Sequence, residues 1–198
     1  MNVDRLWQSL ESAATLDRLS DAVKRRLDPV VGQGKVRNAL GGKWLGHPIH
    51  PALVMVPLGA WSSAVILDVA GRQSAAARRL VALGTMAAPA AIVTGWSDWS
   101  NLNTVQRRVG LSHALANATA VTLFALSYWR RRTVTDGLAR STGALGLLAA
   151  GGGGAIGGHL TYRLGANVTG NQTELEPAPE YHPAQLPDAM KPATGLDP

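Results

Sequence analysis

The chain has 198 residues, 46% of them hydrophobic and 16% charged, with a net charge of +6 and no cysteine. Soluble domains carry charge on about a quarter of their residues, so this balance argues for a membrane chain. The missing cysteines exclude disulfides, thiolate zinc sites and cysteine-held iron–sulfur clusters.

The N-terminal residues, MNVDRLWQSLESAATLDRL, do not read as a signal peptide, because acids interrupt them and no apolar core follows. Leu6, Leu10, Leu16, Leu19, Val23 and Leu27 recur mostly at three-to-four-residue steps. That spacing predicts one amphipathic helix ended by Asp28–Pro29, lying on the membrane surface or packed on a bundle or partner. Four apolar segments follow at 51–70, 80–96, 109–129 and 141–162. Each approaches the about 20 residues that a helical span requires, and the bilayer interior demands helices. Connections of about 10–13 residues suit an antiparallel arrangement. The expected fold is therefore all-α: an amphipathic segment (1–43), a four-span transmembrane bundle (44–166) and a flexible, polar, Pro-rich tail (167–198).

Within the spans, Pro57 and Pro89 each remove a backbone donor and are expected to kink their helices. The last span holds six glycines between 151 and 158, and the Gly153/Gly157 and Gly154/Gly158 spacings predict close helix approach. No internal repeat is evident among the four segments. Basic residues flank the apolar runs, as in WRRR at 129–132 and ARR at 77–79. This pattern points to lipid contact and topology, and away from nucleic acid.

GGGAIG at 152–157 satisfies the dinucleotide-binding spacing but lies inside an apolar run, not between a strand and a helix. GQGK at 32–35 lacks the remainder of a phosphate-binding loop, and HExxH is absent. No catalytic motif remains.

The histidines are more informative. If the spans alternate in direction, the start of the first, the end of the second, the start of the third and the end of the fourth share one membrane face. His47 and His50 then gather with His113, His159 and the GWSDW corner at 95–99; His182 belongs to the tail. His113 and His159 are expected roughly 5 Å inside their helix ends at similar depth. Asn117, one turn beyond His113, is placed to orient its imidazole. Ionisable groups inside spans usually face the bundle, so His47, His50, His113, His159 and Asn117 form a candidate cofactor site. The same four histidines are an alternative metal site. The bland reading stays open: His50 caps the first span ahead of Pro51, Trp96 and Trp99 anchor in the headgroups, and Asp68 pairs with Arg72 at the other surface.

GHPIHP at 46–51, GWSDW at 95–99, RRVGLSHA at 107–114 and GGHLTYRLG at 157–165 together resemble a bacterial integral-membrane family, domain of unknown function 2231. The resemblance covers about 44–166, and His159 stands where that family's pattern is looser. It implies a four-helix protein of the bacterial plasma membrane. Because some relatives are fused to Rieske domains, it also implies an electron-transfer setting.

The expected function is redox-associated, with the histidines binding haem b, a metal ion or a quinone. Its contacts would be membrane lipid and either a membrane redox partner or further copies of the chain. The alternatives are a non-enzymatic structural or assembly subunit and, against the lack of a repeat and of acids deep in the spans, a small proton-coupled transporter.

Overall fold

A computed structural model describes residues 3–71 and 74–168. It is helical, with no strand among the described residues. Three short helices come first: α1 (Val3–Glu11), α2 (Asp17–Val31) and α3 (Gly34–Leu40). Four long ones follow: α4 (His50–Val69), α5 (Ser74–Trp99), α6 (Thr104–Arg131) and α7 (Gly137–Tyr162).

The expected single N-terminal helix is two. It breaks at Ser12–Ala13, turns through a short 3₁₀ segment at Ala14–Leu16 and restarts at Asp17. Asp28–Pro29 does not end α2, which runs on to Val31 with Gly32 N–H bonded to Asp28 O at 3.1 Å. A proline so near a helix end removes only one donor, and the final turn survives.

The connections are also shorter than expected. Helices α5, α6 and α7 begin several residues before their apolar runs, taking in Arg78, Arg79, Arg107, Arg108 and Arg140. Local caps fix two of these starts. Asn103 and Gln106 form a reciprocal capping box at α6, and the Asp136 carboxylate accepts from Ala139 N–H at 3.0 Å to start α7. The Arg130 guanidinium beside Asp136 holds its carboxyl down at about 2.

Helices α4, α5 and α6 are each long and apolar enough to cross a membrane. Helix α7 has the length, at 26 residues, but not the same apolarity, since glycine adds length without side-chain hydrophobicity. Three spans thus stand on composition where four were expected.

The long helices form two tight hairpins, α4–α5 and α6–α7, with smaller interfaces between α5 and α6 and between α4 and α7. Across the middle, the large side chains of α4 and α6 meet. Trp61 stacks on Phe124 at 4.4 Å between ring centres, with planes 6° apart, as favoured for aromatic pairs. Gly84 and Gly146 make the room: a Cβ at Gly84 would lie 2.5 Å from the Trp61 indole, and one at Gly146 would lie 2.9 Å from the Phe124 ring. Nearer the far end, Asp68 pairs with Arg131, both side chains buried. Ser127 Oγ accepts from Arg131 Nε at 3.1 Å. Arg131, on α6, is therefore the partner of Asp68; Arg72 lies outside the described residues.

The N-terminal helices pack on the opposite end of the bundle, α1 on α6, α2 on α5 and α6, and α3 on α5. Their anchors are charged. Arg108 grips Asp17 with two bonds of 2.6 and 2.7 Å and donates to Glu11 O at 2.8 Å. Arg107 donates to Ser20 Oγ and to Asp21, and Ser97 Oγ donates to Val31 O at 2.9 Å. The Arg108 contact holds the Asp17 carboxyl below its usual range. We call this arrangement the clasp.

Candidate functional site

His50 opens α4, one residue before Pro51, yet its ring does not cap the helix. It crosses to α5 instead, where Nδ1 lies 2.8 Å from Ala91 O. The ring rests against Gly95, where a Cβ would approach His50 Cε1 to 2.8 Å. His113 repeats the arrangement on the other hairpin. Its Nδ1 lies 2.8 Å from Gly153 O on α7, and a Cβ at Gly157 would come within 2.9 Å of its Cε1.

A carbonyl oxygen can only accept, so Nδ1 is the protonated nitrogen in both rings. In a neutral imidazole the lone pair is then on Nε2. Bonding Nδ1–H to a backbone carbonyl is also how a ligating histidine is commonly held in tautomer and orientation. The two ring centres are 6.4 Å apart, with planes at 81°.

Asn117 sits beside His113, one turn along α6. Its amide donates to His113 O at 2.9 Å, and the same nitrogen lies 3.3 and 3.4 Å from the two ring nitrogens. Gly153 gives it space, since a Cβ there would fall 2.7 Å from Asn117 Nδ2. Of the two glycine pairs in α7, Gly153/Gly157 therefore faces α6, while Gly154/Gly158 faces open space.

The other two predicted histidines lie apart from this pair. His159 is part of the clasp: Nε2 bonds the Glu11 carboxylate at 2.7 Å, and the ring stacks on Trp7 at 4.2 Å with planes 8° apart. Beside it is a polar cleft of about 460 Å³ lined by Asp4, Trp7, Gln8, Glu11, His159 and Arg163. His47 is exposed on the approach to α4, with Nδ1 3.2 Å from Pro48 O. The backbone there is tightly folded, because Gly42 (φ +74) packs against His47 O where no Cβ would fit. Among the described residues, no group of three His, Cys, Asp or Glu side chains is gathered to hold a metal ion. His182 lies outside the described residues.

The expected similar depth of His113 and His159 fails because α6 starts at Thr104, placing His113 nine residues along its helix. His113 is level with Gly153 and Gly157, whereas His159 is further out towards α1. In the GWSDW corner, Trp99 is buried, not lipid-facing. Its Nε1 donates to Arg107 O at 3.1 Å, Gly110 accommodates its ring, and Trp96 meets it edge-on.

The family described as predicted membrane protein (DUF2231) matches residues 46–170. The matched region holds His47, His50, Asn117, His113 and His159, and it leaves out α1 to α3. No curated protein and no solved structure matches the chain. The chain belongs to the DUF2231 family and is a membrane protein.

Proposed function

We propose that this member of the DUF2231 family is a four-span bacterial membrane protein in which His50 and His113 would hold a haem b that would supply electron transfer within the membrane. The observation behind this reading is the paired histidine geometry. Each imidazole is pinned through Nδ1 to the carbonyl of a neighbouring helix, which puts the lone pair on Nε2; at His113 the Asn117 amide, 3.3 Å from that atom, would give way to a bound metal. The two ring centres are 6.4 Å apart, so His50 and His113 would be the residues that hold one metal centre between their hairpins. A haem would bring porphyrin nitrogens of its own, which suits a pair of histidines where no group of three His, Cys, Asp or Glu side chains is gathered among the described residues. Electron transfer is the chemistry that such a group brings.

Membrane crossing by α7 is supported by its packing. Its buried residues run from Ala139 to His159 along the full helix, so it shares the slab of its three apolar neighbours. A metal ion or quinone fits less well. A quinone carbonyl seeks a donor, whereas both Nε2 atoms accept in this tautomer. The assembly-subunit reading loses its main docking element, because α1 and α2 are committed to the clasp.

The test is optical. Haem titrated into the purified protein should give a low-spin spectrum with a saturable Soret band at one haem per chain. His50→Ala and His113→Ala should each abolish the low-spin form, while His47→Ala and His159→Gln keep it. A spectrum indifferent to both His50 and His113 would sink the proposal.

A further inference from the structure

We propose that α4–α5 and α6–α7 are two copies of one helical hairpin, related by an approximate two-fold axis along the bundle, and that His50 and His113 are a single ligand-binding position built twice on that axis. Three pairs of side chains meet between α4 and α6: His50 with His113, Trp61 with Phe124, and Asp68 with Arg131. Each pair is separated by the same 63 positions. Any two parallel helices in contact keep a constant offset, but on a two-fold axis the residues that meet are each other's equivalents, so the value of 63 gives the register in which the two hairpins can be compared.

The second helices agree at an offset of 62. The buried residues of α7 are Ala139, Gly143, Gly146, Ala150, Gly153 and His159. Their counterparts in α5, from Ala77 to Ser97, are all buried too. The pockets repeat as well: Gly84 and Gly146 accommodate Trp61 and Phe124, and Gly95 and Gly157 accommodate His50 and His113. The carbonyls bound by the two histidines, Ala91 O and Gly153 O, are equivalent.

The sequence carries an independent trace. Residues 77–88 read ARRLVALGTMAA and residues 139–150 read ARSTGALGLLAA, sharing A-R-x-x-x-A-L-G-x-x-A-A. The expectation of no internal repeat is therefore corrected. The repeat belongs to the class related by an axis along the membrane normal, whose ligand sites lie at the repeat interface.

The symmetry restricts the ligand. Each copy presents the same atom, the Nε2 lone pair, so the occupant must offer two opposed and equivalent electron-pair-accepting positions. Haem iron meets that condition; this half rests on the function proposed above, whereas the duplication does not.

An exchange of equivalents tests the duplication. The Asp68–Arg131 pair breaks the symmetry in charge, supported by Ser127 and by the open position at Gly143, whose equivalents are Ala64 and Val81. The variant Ala64→Ser, Asp68→Arg, Val81→Gly, Ser127→Ala, Arg131→Asp and Gly143→Val moves the whole arrangement to the other copy. It should remain monodisperse in detergent, with a thermal midpoint within about 4 °C of the wild type, while Asp68→Arg alone fails to fold. A six-residue exchange as damaging as Asp68→Arg overturns the duplication. The milder exchange of Trp61→Phe with Phe124→Trp gives a second reading of the same axis and should be tolerated where Trp61→Phe with Phe124→Ala is not. For the ligand half, His50→Ala and His113→Ala should weaken haem binding by the same factor within threefold. A larger inequality overturns the two-fold site and leaves the exchange result standing.

Discussion

Replacing Gly157 with alanine tests the histidine site without assuming any ligand. The new Cβ would lie 2.9 Å from His113 Cε1 and 3.0 Å from its Nδ1, so the ring must retreat from α7. Retreat strains the 2.8 Å bond to Gly153 O, and a net hydrogen bond contributes about 1 kcal/mol. Overpacking a closed site costs about 1–3 kcal/mol, while alanine regains about 1 kcal/mol of helix propensity over glycine. The balance is a loss of roughly 1–3 kcal/mol. Gly154, three residues earlier on the same helix, is the internal control, because a Cβ there meets nothing within 4 Å. Gly154→Ala should therefore gain up to about 1 kcal/mol. Thermal unfolding in detergent, followed by circular dichroism, reads both. For a chain of this length the two variants should melt several degrees apart, at about 2–4 °C per kcal/mol. Equal midpoints would refute the claim that His113 fills the space Gly157 leaves.

Two further expectations concern the ends of the bundle. The Asp136 carboxyl, held at about 2 by Arg130, has a folded value below its unfolded one. Its stabilisation is therefore complete above about pH 4 and disappears as pH falls towards about 2. Asp136→Asn keeps a capping side chain but not the charge, so its midpoint should trail the wild type at neutral pH and converge with it in acid; a constant gap would contradict the assignment. At the clasp, Trp7→Ala removes the stack on His159. It should raise hydrogen exchange in α1 while leaving α5 and α6 unchanged, and protection unchanged in α1 would show that the stack does not hold it.

The long helices were legible because hydrophobic content over about 20 residues survives any choice of packing. Their ends were not, because Arg78, Arg107 and Arg108 look like loop residues until their partners are known. Arg108 finds Asp17 from 91 residues away, a pairing that no local pattern announces. The histidines illustrate the same division. Chain direction brings four of them to one end, but only packing separates His50 and His113, which face glycines across the bundle, from His159, which faces Glu11 and Trp7. The break and restart at Ser12–Ala13 did leave a mark, since the step from Leu10 to Leu16 is six residues where the others are three or four.

The duplicated hairpin was partly visible in the shared ARxxxALGxxAA run. The rest of the signal is weak because the paired positions along α4 and α6 mostly differ in chemistry: Trp61 opposes Phe124, and Asp68 opposes Arg131. Only the histidines match there. One argument against a proton-coupled transporter, the lack of a repeat, no longer holds; the absence of acids deep in the spans still stands.

The clasp also sets an order of events during synthesis. Asp17 waits for Arg108 and Glu11 waits for His159, a partner 148 residues later in the chain. Helices α1 and α2 are thus made well before the residues that hold them in place. Until α7 has been made and inserted, His159 is missing from the clasp and α1 cannot close over the end of the bundle that carries the histidines.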